Sequence, residues 1–446
     1  MRRTRRRSPR LALAWALAWC LAPSETAQAQ SEPIYSRPLG AGASLQLIDL
    51  SLDVLVAVGG STADDDELEV LQGGNHDPRQ RGFTLQQVEL GFQGAVDPYF
   101  TAEAHLIYFI DAGGESQFEL EEAFFQTLAL PFGLHEWGFQ LEGGTFFTEF
   151  GRHNPRHAHA WSWQDQPFAL TRFFGEDGLR GPGARVGWLL PLPWLSELHG
   201  GLQNSVGETQ LSFLANDEVF EERPIGGRPF VDRSVHGLGD FTWLARWVNG
   251  VDVCEDTLTL QLGGSAVFGP NATGSSGRSE IYGVDFLAKW VPLDAQRGWP
   301  FVEVEAEWLL RRYRADDGVF TDGGGNAVAT VPSDTLVDQG FYVQTLLGFA
   351  PRWSAGLRYE HGQGRGDNVA FDPNAGALVP ARRSDDPYRA RRHRLSPLLV
   401  FQPTEFSRLR LQYNWDRSPF LRGGEEAHSV WFGVELAFGA HPAHTL

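Results

Sequence analysis

Apolar residues alternate with small or polar residues along most of this chain. The last such segment places five large apolar side chains on one face of a strand: Val430, Phe432, Val434, Leu436 and Phe438. By the period-two criterion for strands, about sixteen such segments follow residue 44. One apolar and one polar face on each strand is typical of a transmembrane barrel, which has lipid outside and water inside.

The gaps between these segments differ in length in a regular way. Long gaps cover 59–81, 151–182, 207–237, 315–337 and 362–390, and tight turns such as Asp97-Pro98, Asn249-Gly250 and Gln402-Pro403 lie between them. Bacterial outer-membrane barrels have long extracellular loops at one end and short periplasmic turns at the other. We therefore predict an all-β fold, a transmembrane antiparallel β-barrel of about 16 strands (roughly 14–18), across residues 45–438.

The first 29 residues predict export. Six arginines in the first ten residues precede an apolar run at 11–22 and the sequence Ala-Gln-Ala at 27–29. This is the pattern of a signal peptide that is cleaved after residue 29. An uncleaved anchor is the alternative, but about twelve apolar residues are too few to span a bilayer. Cys20 offers a lipidation site, which the bulky Trp19 before it disfavours.

The rest of the chain then divides into a short periplasmic segment at 30–44, the barrel, and a periplasmic extension at 439–446. Loss of the signal, with six arginines and one glutamate, takes the formal net charge from −19 to −24. So acidic a chain does not bind nucleic acid through a basic surface. Cys254 is the one cysteine left, which excludes an intrachain disulfide. Hydrolase signatures such as Gly-x-Ser-x-Gly do not occur, so we predict no enzymatic activity.

Charged residues follow the inward phase of several predicted strands. A charge on the lipid face at mid-bilayer costs about 2–4 kcal/mol, so this phase favours a wet interior lined by both signs of charge. The alternative is a lumen filled by salt bridges. The predicted pore-lining residues are Glu303, Glu305, Glu307, Arg311, Arg358, Glu360, Arg392, Arg394, Arg408 and Arg410.

The final strand resembles the assembly signal of bacterial outer-membrane barrels, which ends in an aromatic residue. Phe432 and Phe438 carry this resemblance, although eight further residues follow Phe438. The resemblance implies insertion by the barrel-assembly machinery into the outer membrane of a Gram-negative bacterium. Outer-membrane lipids and lipopolysaccharide would then surround the barrel.

Residues 121–125, 130–134 and 144–151 resemble the phosphate-selective porin O/P family, which carries a similar E-A-Y hairpin, L-P-F-G-L turn and G-K-F-K-x-P-F-G strand end. Residues 176–186 resemble that family's re-entry into the barrel after the long third loop. The resemblance implies a sixteen-stranded diffusion channel, often a homotrimer. The family's lysines correspond here to Thr145 and Phe147, so phosphate selectivity is not implied.

Residues 150–161, followed by Asp165-Gln166-Pro167, are similar to porin-sized proteins labelled zinc-regulated or TonB-dependent outer-membrane receptors. A TonB-dependent transporter encloses a plug in about twenty-two strands, for which residues 30–44 leave no room. The same segment offers imidazole and carboxylate donors that suit zinc, although three histidines in a long loop are more often structural. The candidate ligands are His153, His157, His159 and Asp165.

Three functions remain open from the sequence. The first is a porin-type channel through which small polar or ionic solutes diffuse along a mixed-charge lumen. The second is a substrate-specific uptake receptor for zinc or another metal, and zinc is the one cofactor considered. The third is a closed barrel with a structural or adhesive role. The inward phase of the charges favours the channel.

Overall fold

Sixteen antiparallel strands close into a barrel in the computed structural model, which describes residues 35–40, 43–111, 113–321, 325–372, 374 and 376–439. The signal peptide expected at 1–29 lies outside the described residues, as does nearly all of the extension expected at 439–446. The strands are β1 (Tyr35–Gly40), β2 (Ala43–Ser61), β3 (Gly82–Ala95), β4 (Phe100–Ile110), β5 (Ser116–Thr127), β6 (Phe139–Phe147), β7 (Arg180–Leu189), β8 (Leu195–Asn204), β9 (Phe241–Val253), β10 (Leu258–Pro270), β11 (Arg278–Trp290), β12 (Phe301–Ala315), β13 (Gly318–Thr321), β14 (Ala327–Val331), β15 (Asp334–Ala350), β16 (Trp353–Arg365), β17 (Asn368–Asp372), β18 (Ala377–Ala381), β19 (Arg392–Thr404), β20 (Ser407–Arg417) and β21 (Glu426–Gly439).

Strands β2–β12, β15, β16 and β19–β21 form the barrel, which closes where β2 pairs with β21 from Ser51 opposite Gly439 to Ser61 opposite Ser429. This confirms the predicted all-β barrel and its strand number. Strand β1, within the segment expected at 30–44, pairs with the start of β2. The pairs β13–β14 and β17–β18 are hairpins within long loops.

Short helices lie in the connections. The α-helices are α1 (Asp65–Leu71), α2 (Phe168–Phe174) and α3 (Asp217–Glu222), and the 3-10 helices cover Pro131–Trp137, Ala158–Ala160, Ile225–Gly227, Leu238–Asp240 and Arg383–Asp385. In the part of the chain that is described, no helix is long and apolar enough to cross a membrane.

The two faces of the strands differ in burial as the alternation predicts. In β20, Arg410, Gln412 and Asn414 are buried on the inner face, whereas Leu411 and Tyr413 between them are exposed on the outer face. Outward apolar side chains can therefore face lipid, and the polar face of each strand turns inward.

The predicted turn at Asn249-Gly250 is wrong. Both residues lie inside β9, where Asn249 pairs with Ser196 on one side and Leu262 on the other. The chain turns instead at 254–257, where Cys254 has a left-handed φ of 56°. Pairing with strands on both sides overrides the local turn preference of the Asn-Gly sequence.

The long loop between β6 and β7, residues 148–179, folds into the barrel, and we call it the inserted loop. All seven residues of α2, which lies in this loop, are buried. Loop residues Phe150, Leu170, Phe173 and Phe174 pack with inward Val267, Ile281 and Leu309 in one apolar cluster. An apolar core thus lies inside the barrel, between the inserted loop and strands β10–β12.

Candidate functional site

One side of the lumen is basic, and we call it the arginine wall: Arg358 on β16, Arg392 and Arg394 on β19, and Arg408 and Arg410 on β20. These side chains face inward and are buried. The inserted loop covers them, and several of them bind groups of this loop.

Asp165, in the middle of the inserted loop, is fully buried against the arginine wall. Its carboxylate accepts hydrogen bonds from the guanidinium groups of Arg358 and Arg394, the latter at 2.9 Å. The amides of Gln412 and Asn414 each donate to it at 2.8 Å. Burial would raise the pKa of Asp165, but the two arginines lower it to about 2. Asp165 is therefore ionised at neutral pH and anchors the loop.

The two arginines of β20 hold the backbone of the inserted loop. Arg408 donates from Nη2 to the carbonyl oxygen of His159 at 2.5 Å. Arg410 donates from Nη1 to the carbonyl oxygens of Trp161 and Trp163, at 3.1 and 3.0 Å. Buried carbonyl groups need such donors, so these arginines compensate for the removal of the loop backbone from water.

Glycines on the inner face leave room for the side chains of the loop. A Cβ atom on Gly356 of β16 would lie 2.9 Å from the ring of Trp163, and one on Gly283 of β11 would lie 2.6 Å from the ring of Phe150. Both distances are below ordinary van der Waals contact. The barrel wall is thus shaped for the inserted loop.

Two glutamates of β12 bind the start of the inserted loop. Glu307 accepts hydrogen bonds from the backbone N–H groups of Arg152 and His153, both at 2.7 Å. Glu305 accepts a hydrogen bond from Nη1 of Arg156 at 2.8 Å. Both carboxylates are buried.

Six charged side chains between the start of the inserted loop and strands β7–β12 stay partly exposed, unlike those of the arginine wall. Their side-chain exposures lie between 15% and 28%. Water therefore reaches this part of the lumen. The residues are Glu149, Arg152, Arg156, Arg185, Lys289 and Glu303.

Strands β3, β4 and β5 carry carboxylates and histidine on their inner face, and we call this set the acidic wall: Glu89, Glu103, His105, Glu121 and Glu122. Nδ1 of His105 lies 2.7 Å from Oε1 of Glu89, and Nε2 lies 2.7 Å from Oε1 of Glu103. The imidazole of His105 is therefore held between two carboxylates.

Two histidines of the inserted loop reach the acidic wall. Nδ1 of His157 lies 2.5 Å from Oε2 of Glu121 and 3.5 Å from Oε1 of Glu89. Nε2 of His157 lies 2.8 Å from Oε2 of Glu122. His159 contacts the second oxygen of Glu89 at 2.8 Å. The loop thus meets the acidic wall through imidazoles.

A β-bulge in β5 gives the acidic wall two adjacent glutamates. His105 lies opposite Glu122, but the next residue, Leu106, lies opposite Leu120. Glu121 is therefore the extra residue of the bulge, and Glu121 and Glu122 are both buried. Bulges redirect side chains in this way and are frequent next to functional sites.

The structure brings together part of the predicted metal-ligand set. The rings of His157 and His159 stack at 5.5 Å, whereas His153 packs against Trp161 at 5.2 Å, and Asp165 binds arginines. Among the described residues, clusters with ligand atoms within 4.8 Å of one another are Glu89–His105–His157 and His76–Glu119–Asp177. Neither contains His153 or Asp165, and binding of zinc stays a prediction.

The ten predicted pore-lining residues lie on inner faces, but the inserted loop covers most of them. Glu303 has the most exposed side chain of the ten, at 23%. Alternation reports which face a residue occupies and not how deeply a loop enters the barrel, so contact of these residues with a conducting path stays a prediction. Phe432 and Phe438 face outward and are exposed on β21, and their part in assembly also stays a prediction.

The acidic wall was not predicted from the sequence. The alternation of β4 does place Glu103 and His105 on its polar face, so that signal was present. Glu121 had none, because strict period-two alternation puts only one of two adjacent glutamates inside.

No family model matches this chain. A protein of Aquifex aeolicus (strain VF5), described as uncharacterized, is 28% identical over 423 residues, which cover 89% of this chain and 80% of that protein. The outer membrane channel DcaP of Acinetobacter baumannii matches 88% of this chain and 97% of its own, with 11% identity and a TM-score of 0.50. The anion-selective porin from Comamonas acidovorans matches 88% of this chain and 99% of its own, with 9% identity and a TM-score of 0.49. The likeness to DcaP shows the fold: this chain is a closed barrel of the outer-membrane porin type.

Proposed function

We propose that this chain is a porin-type channel of a Gram-negative outer membrane, through which small polar or ionic solutes diffuse. The observation that carries the proposal is the inserted loop, which enters the barrel and is anchored to the arginine wall by Asp165. Barrels of about sixteen to eighteen strands are wide enough for an aqueous channel. A loop that enters such a barrel narrows the lumen, and the partly exposed charged side chains beside it support a wet passage there.

The proposed path runs between the start of the inserted loop and strands β7–β12. Partly exposed Arg152, Arg156 and Arg185 lie on this side together with Glu149 and Glu303. Both signs of charge suit hydrated ions and polar solutes, as expected for a mixed-charge lumen. The resemblance to the phosphate-selective porin O/P family supports a channel, and phosphate selectivity is not part of the proposal.

Single-channel recording of the refolded protein in planar bilayers tests the proposal. We expect steady steps of conductance without any added ligand. A barrel that is folded by heat-modifiable gel mobility but gives no steps would refute it.

Ion selectivity locates the path more closely. Glu303→Gln removes a partly exposed negative charge from the proposed path, so it should lower the cation-to-anion permeability ratio measured from reversal potentials in a salt gradient. Glu425→Gln is the matched control, because Glu425, in the loop 418–425, forms an exposed ion pair with Arg417 at the end of β20. Equal ratios in the two variants would place Glu303 outside the path.

A substrate-specific uptake receptor is the second candidate. It is favoured by the complete burial of the groups that bind Asp165, which fits a loop that opens only when a ligand binds. The sixteen strands are fewer than the roughly twenty-two of TonB-dependent transporters. Conductance that occurs only with a ligand would select this candidate, and a barrel that never conducts would select a structural or adhesive role.

The proposal also includes the surroundings of the barrel. Exposed outward residues such as Leu411 and Leu436 would meet lipid and lipopolysaccharide, and the chain would form a homotrimer, as many porins do. Light scattering of the purified protein in detergent tests the trimer.

Phe438→Ala should reduce insertion by the barrel-assembly machinery, as measured by the folded fraction in outer-membrane preparations.

A further inference from the structure

The acidic wall concentrates negative charge that arginine does not neutralise. Within the part of the chain that the structure describes, the ion pairs of Glu89, Glu103, Glu121 and Glu122 are all with histidines. Buried carboxylates are normally paired with a cation or coordinate a metal ion. With neutral histidines, four negative charges face one another here, and a bound cation would compensate them.

Three ligand atoms of this wall already converge. One oxygen of Glu89, one nitrogen of His105 and one nitrogen of His157 lie within 4.8 Å of one another. Oε1 of Glu89 and Nδ1 of His157 are 3.5 Å apart. Two ligands on a tetrahedral zinc ion with bonds of roughly 2.1 Å are separated by about the same distance.

Glu121 supplies a fourth candidate ligand atom next to His157. Oε2 of Glu121 lies 2.5 Å from Nδ1 of His157, and neither atom has a hydrogen-bond partner among the described residues. Glu121 is 3% exposed. This buried carboxylate therefore adjoins the Glu89–His105–His157 cluster at His157 and is a further oxygen donor next to it.

Both imidazoles are oriented by a second carboxylate. The other ring nitrogen of His105 contacts Glu103, and the other ring nitrogen of His157 contacts Glu122, at 2.7 and 2.8 Å. Histidines that bind metal ions commonly donate their second N–H group to a carboxylate, which fixes the ring and makes it a better ligand. This second layer is independent of the four candidate ligands.

We propose that Glu89, His105, Glu121 and His157 bind a divalent metal ion of the zinc type. Two imidazole and two carboxylate donors suit Zn²⁺ better than Mg²⁺ or Ca²⁺, which prefer oxygen ligands. The ion ties the inserted loop to the acidic wall, as Asp165 ties it to the arginine wall. This set keeps His157 from the sequence-predicted ligands and replaces His153, His159 and Asp165, and it does not depend on conduction.

Calorimetric titration of Zn²⁺ into the full refolded barrel in detergent tests the proposal. We expect one saturable site in the wild type, its loss in His105→Ala, and its retention in His199→Ala. His199 is the matched control, a barrel-wall histidine on β8 that contacts Glu197 at 3.4 Å, outside the acidic wall. Heat-modifiable gel mobility checks that the variants are folded.

Two results would overturn the proposal: the absence of a saturable site in the wild type, or the same isotherm in His105→Ala as in the wild type. Loss of the site in His153→Ala together with its retention in His105→Ala would instead support the set predicted from the sequence. Mg²⁺ in place of Zn²⁺ should give no saturable site.

A milder variant covers the case in which His105→Ala does not fold. Glu103→Gln keeps the size of a partly exposed side chain that contacts the outer nitrogen of His105 at 2.7 Å. Loss of such a contact weakens metal binding by about 10–100-fold. X-ray absorption of the zinc-loaded wild type should show imidazole and oxygen ligands. Unchanged affinity in Glu103→Gln, or a zinc spectrum without imidazole, would contradict the site.

Discussion

The arginine wall and the acidic wall hold the same inserted loop by different chemistry. On the arginine wall, Arg358, Arg394 and Arg410 meet loop groups of the opposite polarity, namely the carboxylate of Asp165 or carbonyl oxygens such as that of Trp161. On the acidic wall, carboxylates meet the histidines His157 and His159. On the arginine wall, groups of the protein itself compensate the charges. On the acidic wall, the carboxylates need protonated histidines or a bound cation.

This difference separates permanent anchoring from conditional anchoring. Removal of one member of a buried ion pair leaves an uncompensated charge, which is strongly destabilising. Removal of one carboxylate from a group of like charges relieves repulsion instead. Substitutions of similar size on the two walls should therefore have opposite effects on stability, provided that metal ions are absent and His157 is neutral.

The largest effect is expected at Asp165. Asp165→Asn keeps the shape of the side chain but removes the buried carboxylate that Arg358 and Arg394 share, so that Glu360 and Asp416 are left as their acidic partners. We expect a loss of about 3–5 kcal/mol in the free energy of unfolding, measured by denaturant titration of the barrel in lipid vesicles. Glu425→Gln, which breaks an exposed ion pair, should cost less than about 1 kcal/mol. Equal losses in the two variants would remove the distinction between an anchor and a surface contact.

Packing against the wall near Trp163 should have the next largest effect. Gly356→Leu inserts a side chain where Trp163 lies, so it should destabilise the barrel by about 1–3 kcal/mol through overpacking. Gly264→Leu is the control, because a Cβ atom at this outward position meets nothing within 4 Å. The same denaturant titrations compare them, and a Gly356→Leu variant as stable as its control would show that the loop does not sit against β16.

Acid should weaken the start of the inserted loop through His153. Burial lowers the pKa of His153 to about 3, despite the nearby carboxylate of Glu305. The folded state therefore favours the neutral ring, and its stabilisation is complete above the unfolded pKa of about 6.5. It declines below that pH, by up to about 1.4 kcal/mol for each pH unit, until the folded pKa is reached. Unfolding between pH 7 and 5 should thus be less pH-dependent in His153→Gln than in the wild type, and equal slopes would contradict a neutral, packed His153.

The smallest effect, with the opposite sign, is expected on the acidic wall. In the presence of a chelator, and at a pH high enough to leave His157 neutral, Glu121→Gln should leave the free energy of unfolding unchanged or raise it by at most about 1 kcal/mol, because a buried like charge is removed. Addition of Zn²⁺ should stabilise the wild type and not this variant. A loss comparable to that in Asp165→Asn would mean that both walls anchor the loop in the same way.

The barrel could be predicted from the sequence because lipid and water impose opposite requirements on alternate residues. Arg410 and Leu411 are adjacent, and alternation assigns each to its face without any knowledge of neighbouring strands. Loop lengths likewise separated the two ends of the barrel. The prediction of a turn at Asn249-Gly250 was wrong because pairing with both neighbouring strands extends β9 beyond Asn249.

The candidate site could be predicted only in part, because it depends on contacts between residues of different strands and of the inserted loop, which lie apart in sequence. His157 was found as a possible ligand, but its partner Glu89 is distant in sequence and Glu121 is turned inward by a bulge. Asp165 looked like a metal ligand until its arginine partners were known. No local pattern reports that residues 148–179 enter the barrel.

Cysteine accessibility during single-channel recording tests the central claim that solutes pass beside the inserted loop and not along the arginine wall. In a Cys254→Ser background, Gln261→Cys places a thiol on β10 next to Arg152, and Ser396→Cys places one on β19 beneath Trp163. A charged, water-soluble thiol reagent should reduce the current through Gln261→Cys and leave the current through Ser396→Cys unchanged. Reduction at Ser396→Cys, with no effect at Gln261→Cys, would contradict the account.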